Sequence, residues 1–568
     1  MTRRRTTRVL AASAAALTAV TLSACASSDR DSGGNEGGGE SGGTLVFGAA
    51  GDPKMFDPAF ASDGETFRVA RQIHEGLLGN ELGGTDPVPE LAEDWEVSED
   101  GLEYTFELQQ DVKFHDGTDF NAEAVCFNFD RWYNFEGLAQ SPSATPYYQD
   151  VFGGFASTPD TPSIYESCEA TDESTAVIRL TRVTSKFPSA LALPAFSIQS
   201  PTALQEYDAD NLSGSEDALT YSEYATEHPV GTGPFKFESW DRGNGEVTIV
   251  RNDDYWGEKA KLDKVIFRTI SDGNTRRQEL QAGSIDGYDF VAPADYETLE
   301  GEGAQVLVRD PFNILYLGFN AGGVAGTTAN PALQDPRVRQ AIIHAIDRET
   351  IVNSLLPEGA EVATQFMPPT VDGWADDVTT YDYDVEKAKS LLAEAGATGT
   401  TLKFYYPTEV SRPYLPDPAA MFQVINQNLL DAGFTVEATA LPWNPDYLNA
   451  VQAGLQSDIH LLGWTGDYND AYNFIGTFFG PKADGLAKAE FGAFSNPEIF
   501  AALEEGDAAP DPADRTEKYQ EANRLIMDYL PGVPISHSPP ALVVSERVQG
   551  LEPSPLTAEV FSTVSLND

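Results

Sequence analysis

The sequence predicts an α/β protein, and three observations carry that prediction. Several stretches alternate apolar and polar residues with the two-residue period of a half-buried strand. Others repeat apolar residues every three to four positions between helix start and stop signals. The two kinds of segment interleave along nearly all of the 568 residues instead of separating into blocks, which disfavours a pure sandwich or a pure bundle.

The first residues stand outside that pattern. Arg3, Arg4, Arg5 and Arg8 precede an apolar run from Val9 to Val20, too short for a stable membrane-spanning helix. The run ends in Leu22-Ser23-Ala24-Cys25, which resembles the lipobox of bacterial lipoproteins. The resemblance implies a signal peptide over residues 1–24 and a lipidated Cys25, whose two acyl chains would give durable attachment where one would not. An ordinary secretory peptide with a chance cysteine is the alternative. The arginine run leaves both general and twin-arginine export open, since Thr6 and Thr7 fit the second poorly. Residues 26–43 are Ser, Gly, Asp, Glu and Asn with almost nothing apolar, so 25–43 reads as a lipidated cysteine and flexible tether.

In the body, Tyr104, Phe106 and Leu108 alternate with polar partners as a strand should, and so do Val247 with Ile249 and Val265 with Phe267. Asp335-Pro336 reads as an N-cap followed by proline at the first helical position. Val338, Ile342, Ala345 and Ile346 then share one face. Val385, Ala388, Leu391, Leu392 and Ala395 form a second apolar face, opened by Asp384 and closed by Gly396. Residues 137–162 and 208–227 are rich in loop formers and read as surface excursions or an accessory subdomain. No internal repeat is evident, and no later segment has the apolar length of a membrane span.

Beyond residue 24 the chain carries 32 basic and 89 acidic residues, a net charge of −57. Such a field keeps a protein soluble and disfavours nucleic acid and anionic surfaces. Cys126 and Cys168 are the cysteines left after Cys25. In an oxidising compartment they can pair, two buried thiols being the alternative. The sequence has no Gly-x-Ser-x-Gly elbow, P-loop, His-Glu-x-x-His, Cys-x-x-Cys or calcium loop, and its six histidines lack close ligand spacing. We therefore expect no catalytic centre, no cofactor and no metal site.

Five blocks in order resemble the peptide and nickel-chelate binding proteins of bacterial ABC importers, solute-binding family 5, across about residues 44–555. Residues Pro89 to Ser98 run into Asp100 to Phe106, and then into Val112-Lys113-Phe114-His115-Asp116-Gly117. Next come Val230 to Phe237, then Asn252-Asp253-Asp254-Tyr255-Trp256, and finally Asp335 to Ala341 with Asp347-Arg348. The resemblance implies a two-lobed periplasmic-binding-protein fold of type II, in its large three-subdomain class. Lobe I would span 44–311, with an inserted subdomain at about 96–229. Lobe II would span 312–534, and 535–568 would return to lobe I. Crossings near Pro311-Phe312-Asn313 and Pro534-Ile535-Ser536 would form a hinge beside the ligand cleft.

Residues Gly463-Trp464-Thr465-Gly466-Asp467-Tyr468-Asn469-Asp470 resemble the dipeptide-binding members most closely. There the residue at the place of Asp467 holds the peptide α-ammonium, by a charge-assisted hydrogen bond in a dry cleft. The alternative is a loop or cap aspartate, although Asp470 suits the cap of the helix expected over Ala471–Phe479 better. Arg412, in Ser411-Arg412-Pro413-Tyr414, matches the arginine whose planar fork binds the peptide carboxylate, the alternative being an exposed loop arginine. Trp464 would line the cleft or else sit in the core, while Gly463 and Thr465 would pair main chain to main chain with an extended ligand. The implied partners are a short peptide, the importer's permease and, through Cys25, the outer face of the cytoplasmic membrane, with the protein itself a monomer. A receptor for longer peptides, a nickel chelate or another solute, a sensory lipoprotein and a peptidase are the competing functions.

Overall fold

The computed structural model describes residues 42–567 except 217, 323–328, 454–456, 482–487 and 493. The expected signal peptide, Cys25 and all but the last two tether residues lie outside the described residues, and the strands counted below are those of the described residues.

Strand β1 (Thr44–Ala49) leads to helix α1 (Gly64–Ile73), capped by the Asp63 carboxylate, which accepts from the Thr66 N–H. Four antiparallel strands follow: β2 (Ala92–Val97), β3 (Glu103–Leu108), β4 (Tyr165–Ala170) and β5 (Thr175–Leu180). They form their own sheet in the order β2-β3-β5-β4. In β3 the alternation is realised as expected, with Tyr104, Phe106 and Leu108 buried. Helices α2 (Ala122–Tyr133) and α3 (Pro146–Phe152) lie between β3 and β4. Helix α3 occupies part of the expected loop at 137–162. Pro146 at its first position starts it, and Tyr147, Tyr148, Val151 and Phe152 bury it, so packing overrides a loop-like composition. Cys126 of α2 and Cys168 of β4 are disulfide-bonded, with their Cα atoms 5.1 Å apart.

The chain then forms β6 (Phe235–Asp241), β7 (Glu246–Arg251), β8 (Lys264–Thr269), β9 (Gly287–Tyr288) and β10 (Gln305–Val308). It continues through β11 (Asn313–Phe319), α4 (Pro336–Ala345), β12 (Glu361–Val362), α5 (Val385–Glu394), β13 (Thr401–Thr408), α6 (Pro418–Asp431), β14 (Thr435–Pro442) and β15 (Ile459–Thr465). It closes with α7 (Pro497–Asp507), α8 (Pro512–Tyr529), β16 (Gly532–His537) and β17 (Ala541–Val544). Asp335 and Asp384 cap α4 and α5 as their sequences imply.

These strands build two large mixed sheets, ordered β6-β7-β8-β1-β9-β17-β10 and β12-β16-β11-β15-β13-β14. Every residue of β11 is buried, as a central strand requires, and a large apolar core surrounds its sheet. The chain passes between the two sheets between Val308 and Asn313 and again between His537 and Ala541. The expected return at 534/535 falls inside β16, which keeps Ile535 to His537 in the second sheet. The two crossings bond to each other: the Arg309 N–H donates to the Pro540 carbonyl at 2.9 Å, and Asn313 Nδ2 to the Ser538 carbonyl at 2.7 Å. Beside them the buried Asp289 carboxylate binds Arg309 through two bonds, of 2.7 and 3.0 Å, and Arg68 at 2.6 Å, so buried charge is paired.

Candidate functional site

The site grows from the divergence of two neighbouring strands. Strand β13 pairs with β15 only at Phe404–Ile459 and Tyr405–His460, while β11 pairs with β15 along its full length. In an antiparallel ladder alternate residues turn their N–H and C=O to the same side. The Gly466 N–H donates to the Phe312 carbonyl at 2.9 Å, which puts the even-numbered residues on the β11 side. The odd-numbered ones address the edge that β13 leaves. There the Leu461 carbonyl accepts the Tyr447 hydroxyl at 2.5 Å. The main-chain groups of Gly463 and Thr465 face the same edge beyond it, which is the geometry that strand addition requires.

Asp467 follows directly. Its N–H donates to Asn473 Oδ1 at 2.8 Å, and Trp464 Nε1 reaches the same oxygen at 3.4 Å, so Asn473 holds both predicted residues. Asn473 is itself placed by the turn that Asp470 caps, the Tyr472 N–H donating to Asp470 Oδ1 at 2.7 Å. The Tyr147 hydroxyl of α3 lies near the Asp467 carboxylate and favours its charged form. Even so, Asp467 Oδ2 is buried with no hydrogen-bond partner among the described residues, and Thr465 Oγ1 is likewise unpartnered. Burial pushes the Asp467 carboxyl up to about 7, further aided by the nearby Asp150 charge, against the lowering effect of Tyr147 and Asn473.

Arg412 lies in the loop after β13. Reciprocal main-chain bonds between Arg412 and Leu415, both 3.0 Å, tighten that loop. The guanidinium stacks 4.5 Å from the Trp443 ring centroid, and its Nε is buried without a hydrogen-bond partner. Tyr414 docks the loop onto β15 at Gly463: a Cβ there would stand 2.4 Å from both the Tyr414 ring and the Ile314 carbonyl oxygen. Gly463 is therefore demanded by close approach, and it links the Arg412 loop to the free strand edge. Trp464 is half-buried, its ring 5.9 Å from Phe478 and packed on the core of the second sheet.

The structure thus joins Asp467, Trp464, Gly463 and Thr465 on one strand and its following turn, with Arg412 tied to them through Tyr414. Sequence reasoning missed Tyr147, Asn473 and Trp443. Asn473 carried a faint signal, three residues past a cap aspartate. Tyr147 carried none, since it comes from a helix read as loop.

Comparison with known proteins adds a family match, two relatives and two solved structures. Residues 86–485 match the family described as "Bacterial extracellular solute-binding proteins, family 5 Middle". The chain is 30% identical to the dipeptide-binding protein of Escherichia coli (strain K12), covering 92% of this chain and 94% of that one. It is equally identical, at 30%, to heme-binding protein A of Haemophilus influenzae, over 92% of each. Among solved structures, the ABC transporter-associated periplasmic binding protein DppA from Helicobacter pylori in complex with the peptide STSA superposes with a TM-score of 0.77. The identity is 28%, over 93% of this chain and 99% of that one. The dipeptide binding protein from Pseudoalteromonas sp. SM9913 in complex with Met-Leu gives 0.76 at 25% identity, over 92% and 100%.

Proposed function

Because this chain belongs to the bacterial extracellular solute-binding proteins of family 5 and has their type II periplasmic-binding-protein fold, we propose that it captures short peptides with a free amino terminus for an ABC import permease. The observation that carries the substrate reading is Asp467 Oδ2, a buried carboxylate oxygen short of a donor beside an open strand edge. A peptide ammonium supplies the missing donor and the compensating charge together. The Gly463 and Thr465 main chain then pairs with the ligand backbone whatever its side chains, and Arg412 takes the carboxylate end. A heme has carboxylates but no ammonium, so the same 30% identity to a heme-binding relative does not answer the demand of Asp467.

The chain acts by capture without bond making or breaking. The parts built on the two large sheets, lobe I and lobe II, close over the ligand, and affinity for the closed state drives the shift. Cys25, lipidated, would hold the protein at the outer face of the cytoplasmic membrane on the tether of residues 26–43. No helix among the described residues is long and apolar enough to cross a membrane.

Calorimetric titration with alanyl-alanine tests the reading. Binding is expected, and N-acetyl-alanyl-alanine is expected to give none. Equal binding of the two would remove the amine anchor, and binding of neither, with a non-peptide recovered from the purified protein, would replace the substrate class.

A further inference from the structure

A second carboxylate joins the two parts of the molecule away from the ligand edge. Asp507 ends α7, and its helix packs into the core of the second sheet through Ile499, Ala502 and Leu503. A carboxylate at a helix C-terminus faces the negative end of the macrodipole, and here Glu504 and Glu505 precede it. Nothing in its own helix favours that placement. Among the described residues, every hydrogen bond to its side chain comes instead from the segment after β5. Arg182 Nη1 donates to Oδ2 at 2.8 Å, Thr184 Oγ1 to Oδ1 at 2.6 Å, and the Ser185 N–H to Oδ1 at 3.2 Å. Ser185 Oγ stands at 3.5 Å from the same oxygen, and the Ser185 N–H also reaches the Asp507 carbonyl at 2.9 Å. Asp507, Thr184 and Ser185 are all buried.

The same segment rests on the turn that builds the ligand site. The Ser185 hydroxyl lies 2.7 Å from that of Tyr519, and its proximity to the Asp470 carboxylate favours the charged form there, although burial still pushes that carboxyl up to about 6. The buried Lys186 ammonium donates to the Asp150 carbonyl at 2.6 Å and sits 4.6 Å from the Tyr472 ring centroid. Asp470 and Tyr472 flank the turn that presents Asn473, and Asn473 fixes Asp467 and Trp464.

We infer that residues 182–186 form a polar clasp on Asp507 and on the 470–473 turn, and that Asp507 is a positioning residue that sets how long a ligand stays without touching it. The inference rests on the receptor reading for its ligand but not for its geometry. An open form would strand the Asp507 charge on an acidic helix end, and closure matches it with Arg182, the Thr184 hydroxyl and the Ser185 N–H. Lobe closure thereby gains affinity from contacts that any ligand can use.

Two variants test this on the full chain. Asp507→Asn keeps the shape and removes the charge, and Arg182→Ala alters a side chain 45% exposed, with little risk to folding. Stopped-flow tryptophan fluorescence with alanyl-alanine should show dissociation faster by about tenfold in Asp507→Asn and by roughly threefold in Arg182→Ala. Association should stay within about twofold, because affinity changes act mainly on dissociation. The double variant should be no faster than Asp507→Asn alone. Small-angle scattering of the ligand-free variants should show a larger radius of gyration than the parent, a readout that a loss of folding stability alone would not give. Unchanged dissociation, or unchanged scattering in both variants, would overturn the clasp. If alanyl-alanine fails to bind the parent, the peptide reading falls, and scattering still decides the clasp.

Discussion

Asp467, half-buried with its Oδ2 enclosed, and the buried Asp507 lie on the same side of the molecule, each met by residues from the other side, and they differ in one respect. Asp507 has its acceptors filled by Arg182, Thr184 and Ser185, and burial is outweighed by Lys186 and Arg182, so its carboxyl is held below the ordinary value. Asp467 has Tyr147 and Asn473 nearby, which favour its charge, but Oδ2 is unpartnered, and burial pushes the carboxyl up to about 7. A filled carboxylate stabilises the arrangement it is in, whereas an unfilled one destabilises it until something else arrives. The first is suited to closure and the second to capture.

The largest effect should come from Asp467. Replacing it by Asn is expected to weaken alanyl-alanine binding by more than about a hundredfold, since a fixed ammonium loses its charge partner in a dry site. The ligand-free variant should be more stable than the parent at pH 8. The sign follows from linkage: with a folded value near 7 against an ordinary 3.8, the folded parent holds the extra proton between them. Its stability therefore falls as pH rises through that window, and the full penalty stands above about 7. Asn carries no such penalty, so the gain should shrink toward pH 4. Thermal melts at the two ends check this, and a variant less stable than the parent at pH 8 would contradict the unfilled-carboxylate account. Peptide affinity in the parent should conversely fall on acidification below about 7, with proton release on binding seen by calorimetry in buffers of different ionisation enthalpy.

Arg412→Lys comes next. It keeps a charge but loses the stack on Trp443 and the planar fork, so dipeptide affinity should drop by about tenfold and amidation of the peptide C-terminus should matter less than in the parent. Gly463→Ala probes the link between the poles, since the added methyl meets the Tyr414 ring and the Ile314 carbonyl. Overpacking of that kind costs about 1–3 kcal/mol and would move the Arg412 loop, so affinity and melting temperature should fall together. A Gly463→Ala protein with parental affinity would separate the two poles.

How much of this was legible follows the range of the interactions. Asp335, Asp384 and Asp470 cap the turns beside them, a relation of two or three residues that sequence displays. Tyr104, Phe106 and Leu108 announce their strand by period alone. The family-like blocks proved readable for a structural reason. Thr232, Tyr255 and Trp256 all donate to the buried Glu75 carboxylate, at 2.7, 2.5 and 2.9 Å, and His115 bonds to the Gly233 carbonyl at 2.9 Å. Those contacts lock the first part of the fold and lie outside the site. Tyr147 and the clasp were invisible because nothing local specifies them. Helix α3 owes its existence to packing, with Tyr147 set 5.6 Å from Phe67, and Arg182 meets a partner 325 positions away.

The disulfide supplies the smallest expected effect on binding and the control for the comparison. Cys126–Cys168 closes a loop of 42 residues between α2 and β4, in the four-stranded sheet whose β5 leads into the clasp. Removing it with Cys126→Ser and Cys168→Ser frees the unfolded chain, so stability should fall by about 2–4 kcal/mol. The clasp itself is held by hydrogen bonds from residues 182–185 to Asp507 and not by the disulfide, so alanyl-alanine dissociation should stay within about twofold of the parent. A lower melting temperature with unchanged dissociation would show that the effects at Asp507 are specific to closure. Faster dissociation in the cysteine variant would mean that the clasp depends on the rigidity of the sheet beneath it, and the role given to Asp507 would then belong to that whole sheet.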